Sequence, residues 1–240
     1  MLIWVNTPVS DFRTFLLLDR DGVINEDRPD YIKHSGEFRF YPDALEALRW
    51  LREQHIAVIL ISNQSGLNRG IIAWEDFWDI HEVMIKGIHH EGGDILGALY
   101  CPHRPEEACS CRKPSPGMIH AASAIFQVPL SKTYLVGDRG SDLLAARCAG
   151  CREVILDRFG TGFEHRQPDI PAEPQTGKDE TWTVESSPAQ HPALSTQHRS
   201  LPGAAREPIK SFTNLMEAVC ALFETRSAPA TEGLEPTPQR

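Results

Sequence analysis

Phe15-Leu16-Leu17-Leu18-Asp19-Arg20-Asp21-Gly22-Val23-Ile24-Asn25 decides how the chain is read. Four apolar residues run unbroken and stop at an aspartate. A run this short, ended by Asp and Gly, has the pattern of a strand buried on both faces. Asp19 and Asp21 then stand at its carboxyl end, where open α/β sheets bind ligands. With Arg20 between them and the backbone still extended, both carboxylates lean the same way. Gly22 lets the chain turn sharply and leaves room for a ligand. Two acids this close repel and call for a shared positive charge. A hard cation such as Mg²⁺ takes oxygen ligands and accepts phosphate in its shell. A polar turn with two solvated acids accounts for the same residues, and this stretch alone does not choose between the two.

Working outward, the apolar pattern alternates between strand and helix. Pro42 opens a helix at its favoured first position, with Leu45, Leu48 and Leu51 at helical spacing. Ile56 to Ile61 is a β-branched run that ends in Ser62-Asn63-Gln64-Ser65-Gly66. A long helix from Trp74 stops at Gly92-Gly93, and a third strand is expected from Ile95 to Tyr100. A helix from Pro116, a strand ending in Gly137-Asp138, a helix closed by Gly150 and a strand from Glu153 to Leu156 complete the alternation. Such alternation predicts an α/β fold with a doubly wound, mostly parallel sheet. Residues 1–160 are expected to form the catalytic core. Residues 161–207 are rich in Pro, Gly, Ser and Gln with no apolar period, which predicts a disordered insertion. Residues 208–224 are expected to add a short edge strand and a helix, capped by Asn214 and Glu217, that packs back on the core. Residues 225–240 read as a loose tail.

The 240 residues carry a net charge of -9 and no block of Lys or Arg. That disfavours nucleic acid and anionic membrane as partners. No apolar run approaches the length of a membrane span, and Met1 to Trp4 lacks the basic lead of a secretory signal. A cytoplasmic location is expected, where spaced cysteines more often bind metal than pair as disulfides.

Four polar features end successive strands or lie just beyond one: Asp19 with Asp21, Ser62 to Ser65, Arg112-Lys113-Pro114, and Asp138 with Asp142. Convergence of such groups on one sheet edge suits phosphoryl transfer. Their order resembles that of the haloacid dehalogenase superfamily of phosphohydrolases. The wording DRDGVIN, SNQSGLNRG, CPH followed by CSCRKPSPGM, and VGDRGSD resembles the D-glycero-D-manno-heptose 1,7-bisphosphate phosphatases more closely. The histidinol-phosphate phosphatases share much of it. NQSG rather than NQDG, and VIN after DRDG, favour the heptose enzymes. The resemblance runs from about Phe15 to Leu156 and resumes weakly at Pro208 to Phe223.

This resemblance implies an open site without a large cap domain, acting on a small phosphorylated sugar, in a chain expected to be monomeric. It implies Asp19 as nucleophile, Asp21 as general acid and base, and Ser62 and Lys113 as groups on the phosphoryl oxygens. Mg²⁺ ligands would be the Asp19 carboxylate, the Asp21 backbone carbonyl and the Asp138 carboxylate. Asp27, Asn63, Gln64, Ser65, Arg112 and Arg139 would contact substrate. The family usually has Thr at the position of Ser62, and the heptose enzymes tend to carry Lys at that of Arg139. Asp142 either orients Lys113 or the metal shell, or is an ordinary first-turn helix acid. A binding module that had kept the fold and lost activity is the contrasting reading; the presence of Asp19, Asp21, Lys113 and Asp138 speaks against it.

Cys101-Pro102-His103 and Cys109-Ser110-Cys111 offer three thiolates and an imidazole, the ligand set of a closed structural zinc site. A Cys101–Cys109 disulfide or unligated thiols would use the same residues. The family resemblance implies zinc, which would brace the loop entering Arg112 and Lys113. Cys148 and Cys151 match a C-x-x-C spacing but lie at a helix end, where nothing lowers a thiol pKa. His89-His90 reads as a favourable C-terminal helix turn, and the histidines between His165 and His198 lack ligand spacing.

Overall fold

The computed structural model describes residues 1–6, 12, 14–160 and 209–223. The segments expected to be a disordered insertion and a loose tail lie outside these residues. A seven-stranded sheet runs in the order β1-β4-β3-β2-β5-β6-β7. Its strands are β1 (Leu2–Val5), β2 (Thr14–Leu18), β3 (Ile56–Asn63), β4 (Gly97–Cys101), β5 (Tyr134–Gly137), β6 (Arg152–Leu156) and β7 (Lys210–Phe212). Every pairing is parallel except β1 against β4. From β2 the chain winds outward through β3 and β4, then returns to the other side of β2 for β5, β6 and β7. The winding therefore reverses between β2 and β5, and the carboxyl ends of these strands are where open α/β sheets bind ligands.

Alternation along β2 divides the core. Leu16 and Leu18 face one side, with α1 (Pro42–Glu53), α2 (Trp74–His90) and α5 (Leu215–Phe223). Phe15 and Leu17 face the other, with α3 (Gly117–Phe126) and α4 (Gly140–Ala149). Both faces of the central strand are covered, so its unbroken apolar run is what a parallel strand requires. No helix among the described residues is long and apolar enough to cross a membrane.

The sequence pattern places the elements but misjudges some ends. β3 runs two residues beyond the apolar run, because Ser62 and Asn63 keep pairing with Tyr100 and Cys101. A backbone ladder does not depend on side-chain polarity. β4 starts at Gly97, although the amide of Leu96 already donates to the Val58 carbonyl at 2.8 Å; that of Ile95 goes to the carboxylate of Asp94. β1 carries no sequence signal of its own. It is an edge strand of four residues, with only Leu2 and Trp4 packed on the core. At the carboxyl end, β7 pairs with β6 and α5 buries Leu215, Ala218, Val219 and Leu222. Asn214 Oδ1 accepts the amide of Glu217, as a helix cap does. Glu217 reaches back one residue further than a capping box, to the amide of Thr213.

Candidate active site

β2 ends at Leu18, and its last carbonyls hand the chain into a tight loop. Asp19 keeps a sheet-like bond, its amide donating to the Val136 carbonyl on β5 at 3.0 Å. Beyond it the backbone curls. The Arg20 carbonyl accepts the amides of Val23, Ile24 and Asn25, and Gly22 adopts φ 81°. The two carboxylates therefore do not lean the same way: Asp19 pairs with Lys113 and Asp21 with Arg20.

Asp19 turns toward Lys113, whose Nζ lies 3.0 Å from Asp19 Oδ2 and 2.5 Å from Asp142 Oδ1. A third bond, to the Ile61 carbonyl at 2.7 Å, fixes the ammonium under β3. All three side chains are buried. Burial alone would lower the Lys113 pKa, but the charges of Asp142 and Asp19 outweigh it and raise the pKa, so the ammonium stays charged. The backbone of Lys113 is held as well. Its amide donates to Asn63 Oδ1 and its carbonyl accepts from Asn63 Nδ2, each at 3.0 Å.

Asp138, the residue after β5, lies beside Asp19. Carboxylate oxygens of Asp19, Asp138 and Asp142 all lie within 4.8 Å of one another. Burial, then the charges of Asp19 and Asp142, push the Asp138 carboxyl up to about 8. All three ionised would carry more negative charge than Lys113 and Arg139, whose Nε lies 3.9 Å from Asp138 Oδ1, can balance, an imbalance that favours the protonated Asp138. A divalent oxygen-seeking cation would reverse it, so the donor set fits Mg²⁺. Asp142 is fully buried, and its Oδ2 accepts the Arg139 amide at 3.1 Å, capping α4 while its Oδ1 meets Lys113.

Asp21 lies outside that cluster. Its carboxylate accepts from Arg20 Nε and Nη2 at 2.8–3.1 Å, from Asn25 Nδ2 at 2.9 Å and from Gln64 Nε2 at 2.7 Å. Burial works to raise its pKa, yet the Arg20 charge and these bonds prevail and hold it low. Gln64 Nε2 also donates to Ser62 Oγ at 3.0 Å, which leaves the serine hydroxyl free to donate. Ser65 Oγ meets the Tyr31 hydroxyl at 3.3 Å. At the rim, Arg139 Nη2 bonds Asp27 Oδ2 at 2.6 Å, and Arg112 Nη1 donates to the His103 carbonyl at 3.3 Å. Arg20 and Asn25 are residues the sequence reading left out. An arginine between two acids at a buried strand end was the available signal.

The four ligand atoms of the cysteine loop are also together. Sulfur–sulfur separations among Cys101, Cys109 and Cys111 are 3.4–3.6 Å, and His103 Nδ1 lies 3.3–3.5 Å from Cys101 and Cys111. All three cysteines are free thiols, so the disulfide alternative is not formed. A tetrahedron with zinc–sulfur bonds of ~2.3 Å has edges of about 3.7 Å, close to these separations. Elsewhere, Cys148 and Cys151 are unpaired and Cys151 is buried, and His89 bonds Asp94 at 3.0 Å.

Residues 110–175 match the HAD-hydrolase-like family model. The D-glycero-beta-D-manno-heptose-1,7-bisphosphate 7-phosphatase of Pseudomonas aeruginosa is 39% identical over 159 residues, covering 66% of this chain and 89% of that protein. Its Helicobacter pylori counterpart is 37% identical over 142 residues, covering 59% of this chain and 81% of that protein. The D,D-heptose 1,7-bisphosphate phosphatase of B. bronchiseptica, crystallised with magnesium and phosphate, superposes with a TM-score of 0.58 at 36% identity, covering 60% of this chain and 80% of that one. A HAD-like phosphatase structure from Mesorhizobium loti gives the same score at 28% identity, over 65% of this chain and 79% of that one. With that kinship and buried acids gathered around one lysine at the sheet's reversal point, the chain belongs to the haloacid dehalogenase-like hydrolases, in the group of the heptose bisphosphate phosphatases, and is a phosphoric monoester hydrolase.

Proposed function

We propose that the enzyme removes the 7-phosphate of D-glycero-D-manno-heptose 1,7-bisphosphate through an aspartyl phosphate at Asp19. The observation that carries this reading is Lys113 fixed between Asp19 and Asp142 beside buried Asp138. An Asp19 oxygen attacks phosphorus, and the bond from phosphorus to the sugar oxygen breaks. Asp21 gives that oxygen its proton. Water then attacks the phosphorus of the aspartyl phosphate, and Asp21 takes the proton released. Phosphate leaves and the Asp19 carboxylate is restored.

At rest Arg20, Asn25 and Gln64 keep Asp21 ionised, the form needed for the second half. For the first half it takes up a proton, which the negative charge of an incoming phosphate favours. Ser62 directs its free hydroxyl proton at a phosphoryl oxygen, and Lys113 neutralises charge that grows in the transition state. Asp19, Asp138 and the Asp21 carbonyl would hold Mg²⁺, which supplies charge neutralisation between the nucleophile and the phosphate when bound. Asp27, Arg112, Arg139 and the polar residues after β3 recognise the sugar and its second phosphate. Cys101, His103, Cys109 and Cys111 would hold a structural zinc, and thiolate ligation fits a reducing cytoplasm.

The test is phosphate release from both heptose bisphosphate anomers and from histidinol phosphate, with and without Mg²⁺. Mg²⁺-dependent turnover of a heptose bisphosphate, lowered on the order of 10³-fold or more in a folded Asp19→Asn variant, is expected. Appreciable Mg²⁺-dependent activity in that variant would sink the assignment, and preference for histidinol phosphate would replace the substrate.

A further inference from the structure

Arg158, two residues past β6, has no role in the reaction above, yet each nitrogen of its guanidinium donates a hydrogen bond. Nε donates to the Gly22 carbonyl at 3.0 Å and Nη2 to the Val23 carbonyl at 2.7 Å. Nη1 donates to Asp43 Oδ1 at 2.8 Å, and Cζ lies 3.7 Å from the centre of the Tyr41 ring. The side chain is only 8% exposed. The second oxygen of Asp43 accepts the amide of Leu215, the first residue of α5, at 2.7 Å. One planar cation thus joins the loop after the nucleophile, the start of α1 and, through Asp43, the start of α5.

The loop it holds is the one whose geometry matters. Gly22 follows Asp21, and its backbone passes so close to Asp138 that an added Cβ would lie 2.3 Å from Asp138 Oδ2. The loop's amides turn inward, those of Val23, Ile24 and Asn25 to the Arg20 carbonyl and that of Gly22 to the Asn25 carbonyl. The carbonyls of Gly22 and Val23 face the other way, and Arg158 takes both. A planar fork of fixed donors meets two neighbouring carbonyls and a carboxylate at once, a geometry that the compact charge of an ammonium on a flexible stem does not impose.

We propose that Arg158 is a positioning residue of the phosphatase reaction, fixing the Gly22–Val23 loop and with it Asp21 against Asp19 and Asp138. It also makes that placement depend on the docking of α5. The inference rests on Asp21 acting as the acid and base group.

The experiment compares wild type with Arg158→Ala, Arg158→Lys and Asp43→Asn, using steady-state kinetics on whichever phosphate ester the wild type turns over best. Hydrogen exchange of peptides spanning residues 19–25 and 56–63 is measured beside it. Displacing a reacting group by about 1 Å costs on the order of 100-fold in rate. Arg158→Ala is therefore expected to lose roughly 10- to 100-fold in kcat with KM nearly unchanged. Exchange should quicken in 19–25 and not in 56–63. Arg158→Lys should recover part of the rate, and Asp43→Asn should lose less than Arg158→Ala. If Arg158→Ala does not fold, Arg158→Lys carries the test, with a smaller kcat loss and faster exchange confined to 19–25. Wild-type kcat, unchanged exchange in 19–25, or acceleration across both peptides would each overturn the positioning role. If the wild type hydrolyses none of the esters, the proposed reaction fails, while the exchange comparison still reads the tether.

Discussion

Two glycines stand directly beneath the acids of the site. An added Cβ at Gly22 would lie 2.3 Å from Asp138 Oδ2, and one at Gly137 would lie 2.3 Å from the Asp142 Cγ. Gly22 also has φ 81°, a left-handed conformation that costs an L-residue ~1–2 kcal/mol. Gly150 has a similar φ of 78° at the end of α4, with nothing within 4 Å of its missing Cβ. The pair separates strain from displacement. Gly150→Ala should lose about 1–2 kcal/mol of stability in urea unfolding and keep its turnover. Gly22→Ala should carry that loss and also weaken Mg²⁺-dependent turnover by on the order of 100-fold, because the Asp138 carboxylate must move. Equal activity in the two variants would show that Asp138 has room to adapt. Single residues were legible in the sequence where they stop an apolar run: Asp19 after Leu18, Ser62 after Ile61 and, one glycine on, Asp138 after Val136. Lys113 was singled out by its place just beyond the third strand, and the resemblance supplied its role. Arg20 was legible only as an arginine between two acids, and Asn25 and Arg158 were not legible, because their partners are carbonyls and carboxylates that only the folded loop brings within reach.

At the scale of elements, the alternation of strands and helices followed from apolar periodicity, and β1 escaped because an edge strand of four residues has no such period. β1 nevertheless closes an aromatic pocket. Trp4 meets His81 edge to face at 4.8 Å between ring centres, Trp78 packs on the same imidazole, and Tyr100 from β4 bonds His81 Nδ1 at 2.8 Å. Burial, then the charge of Arg20, push the His81 pKa down to about 4. Unfolded histidine titrates near ~6.5. Between those values the unfolded chain holds a proton that the folded one rejects, so stability from this group is present above ~6.5 and is lost as pH falls toward 4. The full span is on the order of 3 kcal/mol. Urea unfolding at pH 5 and pH 7.5 should therefore show a drop in the wild type at the lower pH. His81→Phe removes the titrating group and should flatten that difference, at the cost of leaving the Tyr100 hydroxyl unpaired at both pH values. An undiminished pH dependence in His81→Phe would assign the slope to the acids of the site instead. The histidine is surrounded by Trp4, Trp78 and Tyr100, so Arg20 is the charge that bears on it.

Across the whole molecule, the two arms of the sheet meet at the site with different tethers. The arm through β6, β7 and α5 reaches it by Asp43 and Arg158. The other arm runs through β4 into the cysteine loop, where Cys101 ends the strand and Cys111 precedes Arg112 and Lys113. The ligand set was readable from residue types, but its closure was not, since the five residues between His103 and Cys109 could have led elsewhere. The structure closes them with a short helical turn at Pro105–Glu107 and a left-handed Ala108 at φ 44°. Zinc in that tetrahedron would fix the direction of the chain entering Arg112, while Asn63 fixes Lys113 itself. Loosening the loop should therefore harm Arg112 more than Lys113. A guanidinium can bind the second phosphate of a bisphosphate bidentately, and losing such a charged contact costs on the order of 1.5–3 kcal/mol. Arg112→Ala should lower kcat/KM for a bisphosphate by roughly 10- to 100-fold, and much less for a monophosphate. Cys109→Ser, or chelation followed by restored Mg²⁺, should reproduce part of that selective loss and also lower Tm, since metal binding and folding are coupled. Elemental analysis should find one zinc per wild-type chain and less in Cys109→Ser. Purified protein without zinc, together with equal losses on both substrates in Arg112→Ala, would mean that the loop neither holds the metal nor reads the second phosphate.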